Sequence, residues 1–302
     1  MTGHSNTDRY PQFIVIGAVK AATTWIQKQL QLHNNVFMPD PEPHFFSRDF
    51  GKGPEFYRQF FVSRSPQETI IGEKSADYLS HPFAAERIAS MLPDVRLVLQ
   101  LRDPVARAYS DYKMLYRRGE VKGQPEEYLM APGSSQHRFL LDGLYGQHLE
   151  RWFDLFPSEH ILTLLYEEVA TNPRATVERV CTHIGVQPQY DEASATHWAN
   201  NSREKILPLP LRSALAPLKR FVRPLRGRPL FEASRSLFAR EPAYPPLSSE
   251  LEEHLRDYYL RDIEGAEKLI GRDLSAWKRR PLDGLCDGIL YTSISQREVS
   301  KV

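Results

Sequence analysis

The sequence predicts an α/β fold in three layers, with a mostly parallel central sheet flanked by helices. Two observations lead there. Short apolar runs suited to buried strands alternate along the chain with segments whose apolar residues recur at helical spacing, the pattern of strand–helix–strand units. The run Phe13-Ile14-Val15-Ile16 also ends in Gly17 and opens, through Ala18-Val19-Lys20-Ala21-Ala22, onto Thr23-Thr24-Trp25. That reads as a strand, a tight turn and a helix N-terminus. At 302 residues the chain is long enough to bury a sizeable core.

Taken in order, residues 13–17 read as the first strand and 23–32 as the helix after it. Residues 38–47 are proline-rich with a Phe45-Phe46 pair, and are expected to form an ordered loop near the first strand. Residues 53–62 read as a short helix with aromatic anchors. A second strand is expected at 69–72, followed directly by Glu73-Lys74-Ser75. Residues 82–91 read as a helix stopped by Pro93, and 95–101 as the strongest strand in the chain. That strand ends at Arg102-Asp103-Pro104, where the proline suits the first turn of a helix running to about Arg118. The polar stretch 119–133, punctuated by Gly and Pro, is expected to be a mobile loop. A helical region follows over 135–156 with Trp152, Phe153 and Phe156 on its apolar side, then a strand at 161–165 and a helix at 173–184. From 203 to 240 the chain is rich in Pro and Arg, which breaks regular helix. Residues 248–270 return to an amphipathic helix. The organisation expected is a flexible N-terminus over 1–12, one domain over 13–280 with 203–246 as an irregular basic cap, and a tail over 281–302.

Charge is balanced, with 39 Lys and Arg against 38 Asp and Glu, so bulk electrostatics argue against a nucleic-acid partner and any basic site must be local. Cys181 and Cys286 lie far apart, and no His, Cys or Asp cluster has ligand spacing. Neither a disulfide framework nor a metal is therefore expected. The polar N-terminus and the lack of a long apolar run point to a cytoplasmic protein with no transmembrane segment.

The chemistry concentrates in two places. A helix N-terminus carries unpaired backbone N–H groups and the positive end of the helix dipole, so residues 17–25 are a ready phosphate site. Lys20 adds a charge there, and Thr23 and Thr24 add hydroxyls. The layout is P-loop-like, but the lysine follows Gly17 by three residues and precedes the threonines by three and four, which is not the Walker A order. The second place is Arg102 to Ser110, where Arg102 can fork onto a phosphate and Ser110, two turns into a helix, can donate a hydroxyl. Two anion subsites at two strand ends suit a ligand with two phosphate groups.

These residues resemble the sulfotransferases that use 3′-phosphoadenosine 5′-phosphosulfate (PAPS). Gly17 to Trp25 is similar to the family's 5′-phosphosulfate loop, Lys-[Ser/Thr/Ala]-Gly-Thr-Thr, and Arg102 to Ser110 to its 3′-phosphate motif, Arg-x-Pro-x2-Arg-x2-Ser. Glu42-Pro43-His44-Phe45-Phe46 resembles the Lys-Glu-x-x-Phe-Phe segment of glycan O- and N-sulfotransferases, and Gly72-Glu73-Lys74-Ser75 their Gly-Glu-Lys-[Ser/Thr]-Pro segment. Leu144-Tyr145-Gly146 through Phe156-Pro157 is similar in style to the family's helix. The motifs stand in family order from residue 13 to about 185. Two positions depart from the pattern. Ala22 stands where many members have glycine, so this backbone position is expected not to need a positive φ. Pro41 replaces the lysine before the family's glutamate.

The resemblance implies transfer of a sulfuryl group from PAPS to a hydroxyl or amine of a small-molecule or glycan acceptor, leaving PAP, with no metal required. It implies that Lys20, Ala21, Ala22, Thr23 and Thr24 hold the 5′-phosphate, with Lys20 stabilising charge on the leaving phosphate. Arg102 and Ser110 would hold the 3′-phosphate, and Arg203, in Asn201-Ser202-Arg203, would belong to a loop closing over the cofactor. Trp25 is read either against the adenine or in the core. Glu42 is the implied base, needing position more than a shifted pKa. His44 is the second candidate base, and Lys74 would reach the reacting centre. Plainer readings stand beside these: Lys74 in a salt bridge with Glu73 or Asp77, and Arg102 paired with Asp103 or Glu73. Two other classes stay open, a P-loop-like nucleotide or sugar kinase and a PAP-binding regulatory protein without chemistry. The oligomeric state and any peripheral membrane contact of the basic region are not legible in the sequence.

Overall fold

A computed structural model describes residues 10–130, 138–192 and 239–279. The N-terminal arm before residue 10, most of the expected cap, Arg203 with its loop, and the tail from residue 280 lie outside the described residues. The strands are β1 (Phe13–Gly17), β2 (Val36–Phe37), β3 (Ile70–Lys74), β4 (Arg96–Leu101) and β5 (Ile161–Leu165). All pairings are parallel, in the order β2-β3-β1-β4-β5. β1 is central, and the chain leaves it towards β3 on one side and β4 on the other. In such sheets the crevice at the carboxyl ends of the strands is where ligands sit.

The helices in chain order are α1 (Thr23–Leu30), α2 (Pro54–Arg58), α3 (Ala84–Met91), α4 (Pro104–Arg118), α5 (Glu126–Leu129) and α6 (Arg138–Leu141). They continue with α7 (Tyr145–Leu155), α8 (Tyr166–Thr171), α9 (Pro173–Ile184), α10 (Ser249–Ile270) and α11 (Ser275–Lys278). Side chains alternate across a strand, so β1 feeds two cores. Ile14 and Ile16 pack with Leu97, Leu99 and Leu101 under α3, α4, α7 and α10. Phe13 and Val15 pack with Val98 and Leu164 under α1 and α9. Burial on both faces is why β1 and β4 read as continuous apolar runs.

Gly72 is explained by the same packing. It lies opposite Phe13 in the register, and a Cβ there would come within 2.0 Å of the Phe13 ring. The glycine of the Gly-Glu-Lys segment therefore makes room for an aromatic of the neighbouring strand.

Three expectations are corrected. The stretch after α4 is not a mobile loop through residue 130: it contains α5, Val121 and Leu129 are buried, and Tyr112 Oη donates to the Gly123 carbonyl at 2.6 Å. Two apolar anchors in a polar stretch are too sparse to give a period, yet they suffice to pin it against α4. The helical region over 135–156 is two helices, because the Tyr259 hydroxyl donates to the Leu140 carbonyl (2.9 Å) at the break. The second strand runs to Lys74 rather than stopping at residue 72, which places Glu73 and Lys74 inside the sheet.

Candidate active site

The loop after β1 is pinned from both sides. The Ala18 amide donates to the Gln100 carbonyl on β4 at 2.7 Å, and the Leu79 amide to the Ile16 carbonyl at 2.9 Å. The loop then turns through two left-handed residues, Lys20 (φ 70°) and Ala22 (φ 65°). The expectation that alanine marks a position free of positive φ is therefore wrong. Geometry dictates this turn: the chain must reverse from β1 into α1 within five residues, and tertiary contacts hold the alanine where glycine would sit unstrained. An alanine in this region costs about 1–2 kcal/mol, against a glycine entropy cost of about 0.5–1 kcal/mol. Ala22→Gly is thus expected to stabilise the fold by about 0.5–1 kcal/mol, read as a higher urea midpoint with an unchanged slope.

Ala22 is also the N-cap of α1, and it has no side-chain oxygen to satisfy the first-turn amides. An anion at this end would do so. Lys20 stands beside it, half-buried, with Nζ 3.7 Å from Met114 Sδ and no carboxylate in salt-bridge contact among the described residues. Burial drives its pKa down to about 8; Asp111 pulls upward, and Arg102, Arg118 and Arg138 push further down. Met114 lies one turn beyond Ser110 on α4, so the Ser110 hydroxyl shares the helix face that Lys20 approaches.

Arg102 follows the end of β4. Its Nη1 donates to the Lys20 carbonyl at 3.2 Å, and its guanidinium stacks 4.4 Å over the Tyr166 ring. It pairs with neither Asp103 nor Glu73 and forms no salt bridge among the described residues, although its charge is felt at Glu167. Asp103 has other work. Its Oδ1 caps α4 by accepting from the Val105 (2.8 Å) and Ala106 (3.1 Å) amides, and its Oδ2 accepts from Arg256 on α10 at 2.7 Å. Arg256 also donates to the Trp277 carbonyl at 2.6 Å. The C-terminal helix thereby holds the segment that carries Arg102.

Across the crevice, Lys74 is 2% exposed and gathers two expected site residues. Its Nζ donates to Glu42 Oε1 at 2.6 Å and to Thr24 Oγ1 at 3.1 Å. Glu42 Oε2 accepts from the Ala76 amide at 3.2 Å. Glu73 is not the partner of Lys74, because it points to the other face between Tyr57 and Tyr78. Burial pushes its carboxyl up to about 8, against hydrogen bonds that favour the charged form, and nearby Asp77 and Glu42 raise it further. At neutral pH it is the protonated member of this carboxyl group cluster, so Lys74 finds its counter-charge in Glu42.

His44 sits with its Nε2 3.9 Å from Glu42 Oε2, and its Nδ1 2.7 Å from Asp77 Oδ1. Arg256, Met114 and Tyr166 are absent from the sequence reading, and Asp77 and Asp103 enter it only as salt-bridge partners for Lys74 and Arg102. Only Asp103 carried a local signal, an acid directly before the proline that begins a helix. Trp25 is 2% exposed and packs within the α1–α9 core.

Fold and site together place this chain among α/β proteins in which a β1 loop opening onto an uncapped helix and the end of β4 stand beside a carboxylate–lysine pair. The family model for the sulfotransferase domain matches residues 10–206, and the chain belongs to that family. It is 32% identical over 185 residues to the Homo sapiens heparan sulfate glucosamine 3-O-sulfotransferase 6, covering 59% of this chain and 53% of the relative. It is 32% identical over 199 residues to the Homo sapiens bifunctional heparan sulfate N-deacetylase/N-sulfotransferase 2, covering 60% of this chain and 22% of that protein. The chain thus spans about half the length of these relatives or less. A sulfotransferase from Alicyclobacillus acidocaldarius shares the fold at a TM-score of 0.66 and 24% identity, over 89% of this chain and 99% of that one.

Proposed function

We propose that this chain transfers a sulfuryl group from PAPS to a hydroxyl or amine of a carbohydrate-like acceptor. One observation carries the reading: Thr24, Lys74 and Glu42 form a continuous hydrogen-bonded chain of 3.1 and 2.6 Å from the phosphate loop to a carboxylate. Donor-binding and proton-accepting groups are thereby held in fixed relation, which is what an in-line transfer asks of a protein. PAPS supplies the reactive sulfuryl group, and PAP is what remains of it.

The residues fit that donor. The α1 amides lack a side-chain cap, Arg102 has no carboxylate partner among the described residues, and Lys20 has none either. Lys20, the first-turn amides and Thr23 and Thr24 would hold the 5′ end; Arg102 and Ser110 would hold the 3′-phosphate. Glu42 takes the acceptor's proton, and Lys74 holds that carboxylate in place. The names of the relatives favour an anionic carbohydrate acceptor. The heparan sulfate named for the relatives is an acceptor of that kind. Among the described residues no helix is long and apolar enough to cross a membrane. A cytoplasmic place of action is part of the proposal and rests on cysteine usage.

The test is radiolabelled sulfuryl transfer from PAPS to a panel of desulfated glycosaminoglycans and small alcohols. Label on a glycan is the expected result. Magnesium-dependent turnover of ATP without PAP binding would replace the reading with a kinase.

Two further results are expected from the donor site. The pKa of Lys20 lies near 8 in the free protein, so its charge is present below that pH and lost above it. PAP should raise that pKa on binding, so its affinity should fall by about tenfold between pH 7 and 9, read by calorimetry. Arg256→Met removes the tie between α10 and Asp103. It is expected to raise the KM for PAPS by about tenfold, while kcat at saturation stays within about twofold of wild type.

A further inference from the structure

The Asp77 side chain reaches the site through His44, and both of its oxygens are engaged. One oxygen accepts from His44 Nδ1 at 2.7 Å; the other accepts from Ser47 Oγ at 2.9 Å and lies 3.5 Å from Arg48 Nη2. Burial alone would raise the Asp77 carboxyl, but the bond and charge of His44, the Ser47 hydroxyl and Arg48 bring it below the ordinary carboxylate range. An ionised carboxylate only accepts, so Nδ1 of a neutral His44 must carry the proton, and the lone pair stands on Nε2. The His44 backbone is fixed too. Its amide donates to Ser75 Oγ at 2.9 Å, and its φ of 51° throws the ring back over the loop after β3. Nε2 then faces Glu42 Oε2 across 3.9 Å.

We infer that Asp77 is a positioning residue that sets the tautomer of His44, and that His44 Nε2 receives the proton Glu42 takes from the acceptor. This rests on the reading of Glu42 as the base. The need arises from Lys74. A protonated Glu42 loses its charge pairing with the buried ammonium, and Lys74, which has no acceptor capacity, cannot relieve it. The atoms balance as follows. The acceptor O–H bond breaks as its oxygen bonds the sulfur, and the sulfur–oxygen bond to the 5′-phosphate breaks with its electron pair left on that phosphate. The proton rests on Glu42 Oε2 and passes to His44 Nε2, and the imidazolium between Glu42 and Asp77 delivers it to solvent. Glu42 is again ionised for the next acceptor.

The experiment compares Asp77→Asn, His44→Asn and the double variant with wild type, using kcat, the KM for PAPS, PAP binding, thermal midpoint and the 15N spectrum of the His44 ring in the free protein. Asp77→Asn is expected to lower kcat by about 10- to 100-fold, with the KM for PAPS and PAP affinity within about twofold. The ring should also lose its single Nδ1–H tautomer. In the His44→Asn background the Asp77 change should have no further effect, because it acts through the missing ring. The inference is overturned if the two effects multiply, if the tautomer is unchanged in Asp77→Asn, if kcat stays within about twofold of wild type, or if kcat falls only together with PAP binding and thermal midpoint. Glu42→Gln run alongside separates the two readings: a fully active Glu42→Gln removes the base itself, whereas an inactive Glu42→Gln with an unaffected Asp77→Asn removes only the relay.

Discussion

Glu42→Gln is expected to lower kcat by about 10²- to 10⁴-fold while leaving PAP affinity within about twofold of wild type. Glutamine keeps an oxygen for Lys74 to donate to and keeps the shape, but it cannot take a proton. The change also removes the counter-charge of an almost fully buried ammonium. Glu42 is itself partly exposed, so the ion-pair loss is screened, and the thermal cost should be about 1 kcal/mol rather than the several seen for fully buried pairs. Transfer assays and calorimetry on the same preparation separate the two effects. Wild-type turnover by this variant would remove Glu42 from the chemistry.

Lys20→Ala is expected to act on both binding and turnover. Among the described residues the lysine pairs with no carboxylate and its Nζ meets Met114 Sδ, so an incoming phosphate oxygen would supply its counter-charge. Losing one charge-assisted bond should weaken PAP by about 10- to 100-fold. Charge that builds on the departing phosphate during transfer is then also unopposed, and kcat/KM should fall by about 10²- to 10³-fold beyond the binding loss. Relief of a desolvated ammonium should make the free protein no less stable, so a lost activity here is not a lost fold. Unchanged turnover would detach residues 17–25 from the donor.

The two stretches proposed to hold the donor's phosphates stand out in the sequence for different reasons. The β1 loop is contiguous: strand, turn, lysine and helix start follow one another within thirteen residues, so their physics is local. Arg102 and Ser110 were legible because Asp103-Pro104 announces a helix at a strand end. The pairing of Glu42 with Lys74 was not, since three carboxyl groups stand within reach and the sequence ranks none of them. Burial decides it, by making Glu73 neutral on the far face, while Glu42 Oε1 stands 2.6 Å from Lys74 Nζ. Ala22 shows the converse failure. Residue identity suggested a relaxed backbone, and the ends of β1 and α1 impose a left-handed one.

By itself, then, the sequence determined the α/β class, the strands buried on both faces and the loop that carries Lys20, all of which depend on residues near one another in the chain. Only the tertiary structure decided which acid answers Lys74, that Asp77 orients His44 from 33 positions away, and that Arg256 holds Asp103 across 153. Such choices turn on desolvation and on which backbone segments the sheet order brings together. Neither quantity exists until the strands have packed.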